Sequence, residues 1–101
     1  MSESAWIHYA HPRPHWYGLA PDRQAELRAA WTEVAQESER RGGRRVGTYH
    51  VRGQHDFETV EIWNFPDVEA AFDHWARLTG RAYNEWFAFA NNIGIAGDDM
   101  P

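Results

Sequence analysis

The chain has 101 residues, a net charge of −5 with neutral histidines, and no cysteine. Its length predicts one domain over residues 1–101, the acidic balance argues against nucleic acid as a partner, and the lack of cysteine excludes disulfides and thiolate ligands. No apolar run reaches the length of a membrane span and no signal peptide is visible, so we predict a cytoplasmic protein without a membrane partner.

The first half of the chain predicts a strand followed by a long helix. Residues 5–10 (AWIHYA) are rich in β-formers, and Pro12 and Pro14 favour an extended loop after them. A helix is expected from Pro21 to the glycine pair at 42–43. Its inward face is predicted from helical spacing to consist of Leu27, Ala30, Trp31, Val34 and Ser38.

The second half predicts a hairpin, an interrupted helix and a last strand. Residues 45–52 and 57–65 have the composition of strands and are joined by a turn-rich segment. A helix is expected to begin at Pro66-Asp67 and to break at Gly80, with a second helical piece over 83–90 and a short strand over 91–96. The inward face of the first of these helices is predicted to contain Val68, Ala71, Phe72, Trp75 and Leu78.

The element order is β-α-β-β-α-β, which predicts an α+β, ferredoxin-like fold with a four-stranded antiparallel sheet and both helices on one face. The third strand is apolar on both sides, with Val60 and Ile62 on one and Trp63 and Phe65 on the other. Because the helices cover only one face of the sheet, the second face needs a cover too. We therefore predict a homodimer in which two sheets pack face to face.

Two segments resemble the dimeric α+β-barrel superfamily. VEIWNFPDVEAAFDHW (60–75) is similar to the strand–turn–helix of antibiotic-biosynthesis monooxygenases, and YNEWFAFANNIG (83–94) is similar to the ending of short uncharacterised bacterial proteins. The resemblance implies a dimeric α+β barrel with a pocket between the sheet and the helices of each subunit. It also implies a set of activities: cofactor-free and haem-degrading monooxygenation, polyketide cyclisation and isomerisation of the muconolactone type.

The resemblance extends to individual residues. Trp75 matches a helix tryptophan of the haem-degrading branch, and His8 stands on the first strand where that branch has an asparagine. No histidine follows Trp75, so the proximal haem ligand has no counterpart and no cofactor is expected. In the cyclase branch a first-strand histidine and a later one line the pocket, and these are the roles that His8 and His74 would take.

His8 is the main catalytic candidate. It shares a strand face with Trp6 and Ala10, and a neutral imidazole there could accept a substrate proton near neutral pH. The alternative is a buried histidine bonded to a backbone carbonyl. His74 borders the inward helix face and reaches either a cleft or, by a slight preference, water. Tyr83 is expected to donate a hydrogen bond to a substrate oxygen.

Aromatic side chains are expected to hold the substrate by stacking. For Trp63 and Trp75, a place in the core is the alternative to a place in the pocket, and Asn91 either caps the last helix or points into the cavity. No metal site is predicted, because the histidines at positions 8, 11 and 15 cannot converge on one ion. The expected substrate-binding residues are Trp6, Trp63, Phe72, Trp75, Trp86 and Asn91.

The leading hypothesis is a small homodimeric enzyme that acts on an aromatic or polyketide-like molecule without a bound cofactor, as a monooxygenase or a cyclase. A histidine would abstract a proton from an acidic phenol or C–H group, and the anion would react with dioxygen or close a ring. The alternative is a non-catalytic module that binds a small ligand or haem. A third hypothesis is an interaction protein whose aromatic residues all lie in the core and the dimer interface.

Overall fold

The computed structural model describes residues 3–52 and 56–97, and the predicted turn before strand three lies largely outside them. Four strands form one antiparallel sheet in the order β2-β3-β1-β4: β1 (Ser4–Pro12), β2 (Arg44–His50), β3 (Thr59–Phe65) and β4 (Phe87–Ile95). The helices are a 3-10 helix (Pro14–Gly18), α1 (Pro21–Arg40), α2 (Val68–Thr79) and the single turn α3 (Tyr83–Trp86). The predicted ferredoxin-like α+β fold is confirmed.

Helix α1 begins and ends as its sequence predicts. Pro21 lies in the first turn, where its missing N–H is not needed, and Asp22 lies at the positive end of the helix dipole. Gly42, just beyond the last turn, has a φ of 100°, a conformation in which a side chain would be strained. None of the described helices has the length and apolar character needed to cross a membrane. The buried face of α1 consists of Leu27, Trp31, Val34, Ala35 and Ser38.

The inward face of α2 differs from the expected one. Phe72 was predicted to point inward, but its side chain is 60% exposed, so this prediction is wrong. His74 takes the inward position instead, because Ser38 on α1 supplies a hydrogen-bond partner that makes burial of an imidazole favourable. The buried residues of α2 are Ala71, His74 and Leu78.

The end of the chain is more extended than expected. The helical piece predicted over 83–90 is limited to one turn, and β4 begins at Phe87 rather than at residue 91. Pairing along the whole of β1 satisfies the backbone groups on one side of β4, which outweighs the helical spacing of its aromatic residues. Asn91 lies in the middle of β4, so the alternative in which it caps a helix is wrong.

A core rich in tryptophan lies between the sheet and the long helices. Trp6 and Trp63 are directly opposite each other on β1 and β3, and both are fully buried. Trp16 joins them from the 3-10 helix, in a segment that the prolines predicted to be extended, and its ring centroid lies 5.5 Å from that of Trp31. The core accounts for much of the unusual tryptophan content.

The opposite side of the sheet, which we call the open face, carries no helix in the part of the chain that the structure describes. The strand register places Ile7 and Tyr9 of β1 there, opposite Ile62 and Val60 of β3, with Tyr49 of β2 beside them. Residues directly opposite each other in an antiparallel pair point to the same face. The apolar character of this face therefore matches the sequence pattern of the third strand.

Candidate functional site

A cavity of about 290 Å³ lies between the sheet and the helices. Its volume is at the lower end of the range for pockets that bind small molecules, roughly 300–1,000 Å³. Apolar side chains, among them Trp31 and Leu78, form part of its lining. The ionisable lining residues are His8, Arg28, Arg45, Glu61, His74 and Tyr83.

His8 is 4% exposed, and both of its ring nitrogens are hydrogen-bonded. Nδ1 lies 2.5 Å from Oδ1 of Asn91, and Nε2 lies 2.8 Å from the hydroxyl of Tyr83. Asn91 is directly opposite His8 on β4, while Tyr83 comes from α3. The structure thus brings together three residues that the sequence singled out, and the partners of His8 are side chains rather than a backbone carbonyl.

These contacts define where the protons of the His8 cluster lie. An amide oxygen only accepts, so Nδ1 of His8 carries the proton that it donates to Asn91, and Nε2 accepts from the Tyr83 hydroxyl. Burial lowers the pKa of His8, against the smaller opposing effects of the Asn91 hydrogen bond and the Glu61 charge. Burial raises the pKa of Tyr83. At neutral pH the cluster consists of a neutral imidazole and a phenol.

His74 is a second buried histidine of the cavity lining, with 1% of its surface exposed. Its Nδ1 lies 2.5 Å from Oγ of Ser38, and its ring centroid lies 4.9 and 4.8 Å from those of Trp6 and Trp63. Burial, reinforced by the charge of Arg77, lowers the pKa of His74 to about 3. The expected preference for water is wrong, because a polar partner on another helix is invisible in the local pattern.

Glu61 is a lining residue that the sequence pattern did not predict. Glu61 is directly opposite His8 on β3. One of its carboxylate oxygens accepts a hydrogen bond from Nε1 of Trp63 at 2.6 Å, and the other makes a longer contact of 3.4 Å with the Thr48 hydroxyl. Alternation along the third strand already places Glu61 on the face of Trp63, but its pairing with His8 is a matter of register.

Arg28 and Arg45 were also missed. Arg28 belongs to α1 and Arg45 to β2, and their guanidinium carbons lie 5.1 Å from the ring centroids of Trp16 and Trp63. Among the residues that the structure describes, no group of three or more histidine and acidic side chains is placed to hold a metal ion.

The aromatic residues that were predicted to bind substrate do not line the cavity, and two of them pack against the lining residue His8. Trp6 stacks on His8 with ring centroids 4.7 Å apart, and Trp75 lies 5.5 Å from the same imidazole. Trp86 packs against Trp16, and Phe72 is exposed, so neither belongs to the lining. The lining residues of this cavity include none of the following: Trp6, Trp63, Phe72, Trp75, Trp86 and Asn91.

The fold is similar to solved structures of chlorite dismutases and of a haem-binding protein. A tryptophan-to-valine variant of chlorite dismutase from Candidatus Nitrospira defluvii matches 98% of this chain, with a TM-score of 0.79 and 10% identity. Chlorite dismutase from the same organism in complex with imidazole matches 97%, with a TM-score of 0.74 and 16% identity. A haem-binding protein from Thermus thermophilus matches 100%, with a TM-score of 0.73 and 14% identity. No protein-family model and no curated protein sequence matches the chain.

These similarities concern the fold alone. The chain spans less than half the length of each matched structure, namely 41%, 42% and 44%. A fold hosts many functions, so the activities of these proteins do not transfer with it. The ferredoxin-like architecture is confirmed, whereas the narrower resemblance to antibiotic-biosynthesis monooxygenases stays a prediction.

The two buried histidines predict that the free energy of unfolding depends on pH. The folded protein lowers the pKa of both His8 and His74 from 6.5, so below that pH the unfolded chain binds protons that the folded chain does not. Stability is therefore lost as the pH falls. For His74, with a pKa of about 3, the loss between pH 6.5 and pH 5 is about 2 kcal/mol. Urea unfolding at pH 7.5 and pH 5 measures it.

The His74→Gln variant is the control for this effect. Glutamine does not titrate, so the variant is expected to lose the His74 contribution of about 2 kcal/mol and to keep that of His8, whatever its stability at pH 7.5. Equal unfolding free energies of the unmodified protein at the two pH values would contradict the burial of neutral histidines.

Proposed function

We propose that this chain is a small-molecule-binding domain whose ligand occupies the cavity between the sheet and the helices. The observation that carries the proposal is the buried pair of His8 and Tyr83 at the cavity wall, which is hydrogen-bonded and supported from β4 by Asn91. Burying polar groups costs free energy unless each is paired, and an apolar side chain would pack the same place more simply. A cluster of this kind next to a cavity is typical of a binding site.

The ligand that we propose is a planar aromatic molecule with a hydroxyl group. Trp31 and Leu78 provide apolar surface for its ring. The Tyr83 hydroxyl uses its proton in the bond to His8, so its oxygen remains available to accept a hydrogen bond from a ligand O–H group. The cavity volume of about 290 Å³ suits a small organic molecule.

Haem fits this cavity poorly. Haem iron takes an axial ligand such as histidine, cysteine, methionine or tyrosine. Both nitrogens of His8 are already engaged, the hydroxyl of Tyr83 donates to His8, and Nδ1 of His74 is hydrogen-bonded to Ser38. The volume is also near the lower limit for ligands smaller than haem. Although one structural neighbour is a haem-binding protein, the described residues of this chain do not fit the group.

The same cluster favours a second function, abstraction of a proton from the ligand. A ligand O–H bonded to the Tyr83 oxygen would transfer its proton to the tyrosine while the tyrosine proton moves to Nε2 of His8. The ligand becomes an anion and His8 an imidazolium, which Asn91 and the charge of Glu61 stabilise. This is the histidine-assisted step that the resemblance to cofactor-free monooxygenases and cyclases implies.

We further propose that the protein forms a homodimer through the open face. Two of its central residues, Ile7 and Ile62, face each other across β1 and β3, and Tyr49 next to them is half exposed. Burying such apolar surface against a second copy is favourable. Each matched structure is more than twice as long as this chain, which leaves room in it for a second unit of this size.

The Tyr83→Phe variant tests the proposed ligand. It is expected to bind 2-naphthol about three- to tenfold more weakly, because it lacks a hydrogen bond worth roughly 0.5–1.5 kcal/mol. Binding of 2-methylnaphthalene, which has no hydroxyl group, is expected to change little. Tyr17→Phe is the matched control, since Tyr17 is 67% exposed. Quenching of tryptophan fluorescence gives the Kd values.

Two outcomes of this experiment speak against the proposed ligand. If 2-naphthol does not bind to the unmodified protein, the aromatic-binding function is wrong. If haem displaces it and shows a Soret band characteristic of axial ligation, haem is the better ligand.

Absorption spectra of bound 2-naphthol test proton abstraction. If His8 accepts the proton, the bound molecule shows the longer-wavelength band of the naphtholate at pH 7.5, and His8→Gln loses that band. A spectrum of neutral naphthol in the complex would leave the binding function standing and remove the proton transfer.

Sedimentation velocity tests the dimer. The unmodified protein is expected to sediment as a dimer, and Ile62→Lys on the open face is expected to sediment as a monomer because it places a charge in the interface. Phe72→Lys, on the exposed side of α2, is expected to stay dimeric. A monomeric unmodified protein at micromolar concentration would refute the dimer.

A further inference from the structure

Two arginines of the cavity lining have no carboxylate partner. Within residues 3–52 and 56–97, neither Arg28 nor Arg45 forms an ion pair, and each lies against a tryptophan ring instead. Other arginines of the helices do have carboxylate partners. The chain has 15 acidic against 10 basic residues, so unpaired arginines at one cavity are not due to a shortage of carboxylates.

The lining of the cavity has a net positive charge. Glu61 is its acidic side chain among the described residues, and one oxygen of that carboxylate is engaged by Trp63. Arg28 and Arg45 contribute two positive charges, and both lining histidines are neutral because burial lowers their pKa values. In a protein with a net charge of −5, this local excess favours an anionic ligand.

His74 adds a buried donor to this part of the cavity. Arg77 donates a hydrogen bond to Oγ of Ser38 at 2.7 Å, and Ser38 in turn lies 2.5 Å from Nδ1 of His74. A guanidinium cannot accept, and within the described part of the chain the hydroxyl proton of Ser38 has no acceptor other than Nδ1 of His74. The proton therefore points to Nδ1, and the neutral ring carries its own proton on Nε2. That Nε2 has no hydrogen-bond partner within the described part of the chain, and His74 belongs to the cavity lining.

The two arginines lie on different elements of the cavity lining. Arg45 on β2 and His74 on α2 both pack against Trp63: the guanidinium carbon lies 5.1 Å and the imidazole centroid 4.8 Å from the centroid of that ring. Arg28 on α1 carries its charge near Tyr83, where it opposes the stronger effect of burial on the tyrosine pKa. Tyr83, which is proposed to bind the ligand hydroxyl, therefore has Arg28 near it, and His74, which can donate from Nε2, has Arg45 near it.

We propose that the cavity selects a hydroxylated aromatic carboxylate, with the carboxylate bound by Arg45 and by the Nε2–H group of His74. Ser38 and Arg77 act as positioning residues, because they hold the proton of His74 on the nitrogen that faces the cavity. A carboxylate suits this pair of donors, since its two oxygens accept from a guanidinium and from a ring N–H at the same time. The proposal rests on the proposed function, because it requires an aromatic ligand in the same cavity.

A pair of matched probes tests the selection of charge. 6-Hydroxy-2-naphthoic acid and 6-hydroxy-2-naphthamide have the same rings and hydroxyl group and differ in the charge of one substituent. At pH 7.5 the acid is expected to bind about tenfold more tightly than the amide, because charge-assisted hydrogen bonds are stronger than neutral ones. Arg45→Gln is expected to reduce this ratio to about twofold or less. Arg44→Gln, the adjacent arginine on the other face of β2, is expected to keep it.

The proton position on His74 can be measured without any ligand. In a long-range ¹H–¹⁵N spectrum of the imidazole rings, His74 is expected to show a protonated Nε2 and an unprotonated Nδ1. The Ser38→Ala variant removes the donor to Nδ1, so the proton is expected to redistribute between the two nitrogens. The ratio of acid to amide affinity is expected to fall in the same variant. Loss of packing alone would weaken the binding of both probes and leave their ratio unchanged.

The outcomes separate this proposal from the function on which it rests. If acid and amide bind equally well, the carboxylate selection is wrong while aromatic binding stands. If neither probe binds, the aromatic-binding function is wrong, and the selection fails with it. A His74 ring protonated on Nδ1 in the unmodified protein overturns the role of Ser38 and Arg77.

Discussion

The antiparallel register around β1 is the constraint on which the other features of this protein depend. It places His8 opposite Glu61 on β3 and opposite Asn91 on β4, so that one row across the sheet supplies an imidazole, a carboxylate and an amide. A slip of one residue would turn His8 toward the open face and place Ile7 under the helices. The same ladder therefore determines the chemistry of the cavity and the apolar character of the opposite face.

On the face of the sheet that the helices cover, each of the two buried histidines is hydrogen-bonded to side chains from other elements. His8 donates to Asn91 and accepts from Tyr83, while His74 is held by Ser38, which is itself bound by Arg77. Each arrangement leaves one defined group for the cavity: an oxygen of Tyr83 that can accept, and an N–H of His74 that can donate. Burial keeps both rings neutral, so the charge of the cavity lining resides in its arginines and in Glu61.

This chain shares its fold with chlorite dismutases and with a haem-binding protein, and a shared fold does not by itself determine the site. In this chain the space between sheet and helices is small, and both nitrogens of His8 and the hydroxyl of Tyr83 are engaged in hydrogen bonds within the protein. The proposed organic ligand, with one hydroxyl and one anionic group, would pair with the acceptor and the donors that remain in the cavity, whereas a metalloporphyrin would need an axial ligand.

By itself, the sequence determined the order of the main strands and helices, most of the buried face of α1 and the side of β1 on which His8 lies, because periods of 3.6 and 2 residues are local properties. On α1, Ala35 is buried in place of the predicted Ala30. It also marked Tyr83 and Asn91 as candidates. Only the tertiary structure decided that they meet at His8, since they lie 75 and 83 positions away, and that His74 is buried against Ser38 rather than exposed. It likewise made a strand of residues 87–90, whose aromatic spacing predicts a helix. Such outcomes depend on backbone pairing and on polar partners from distant elements, which no local pattern encodes.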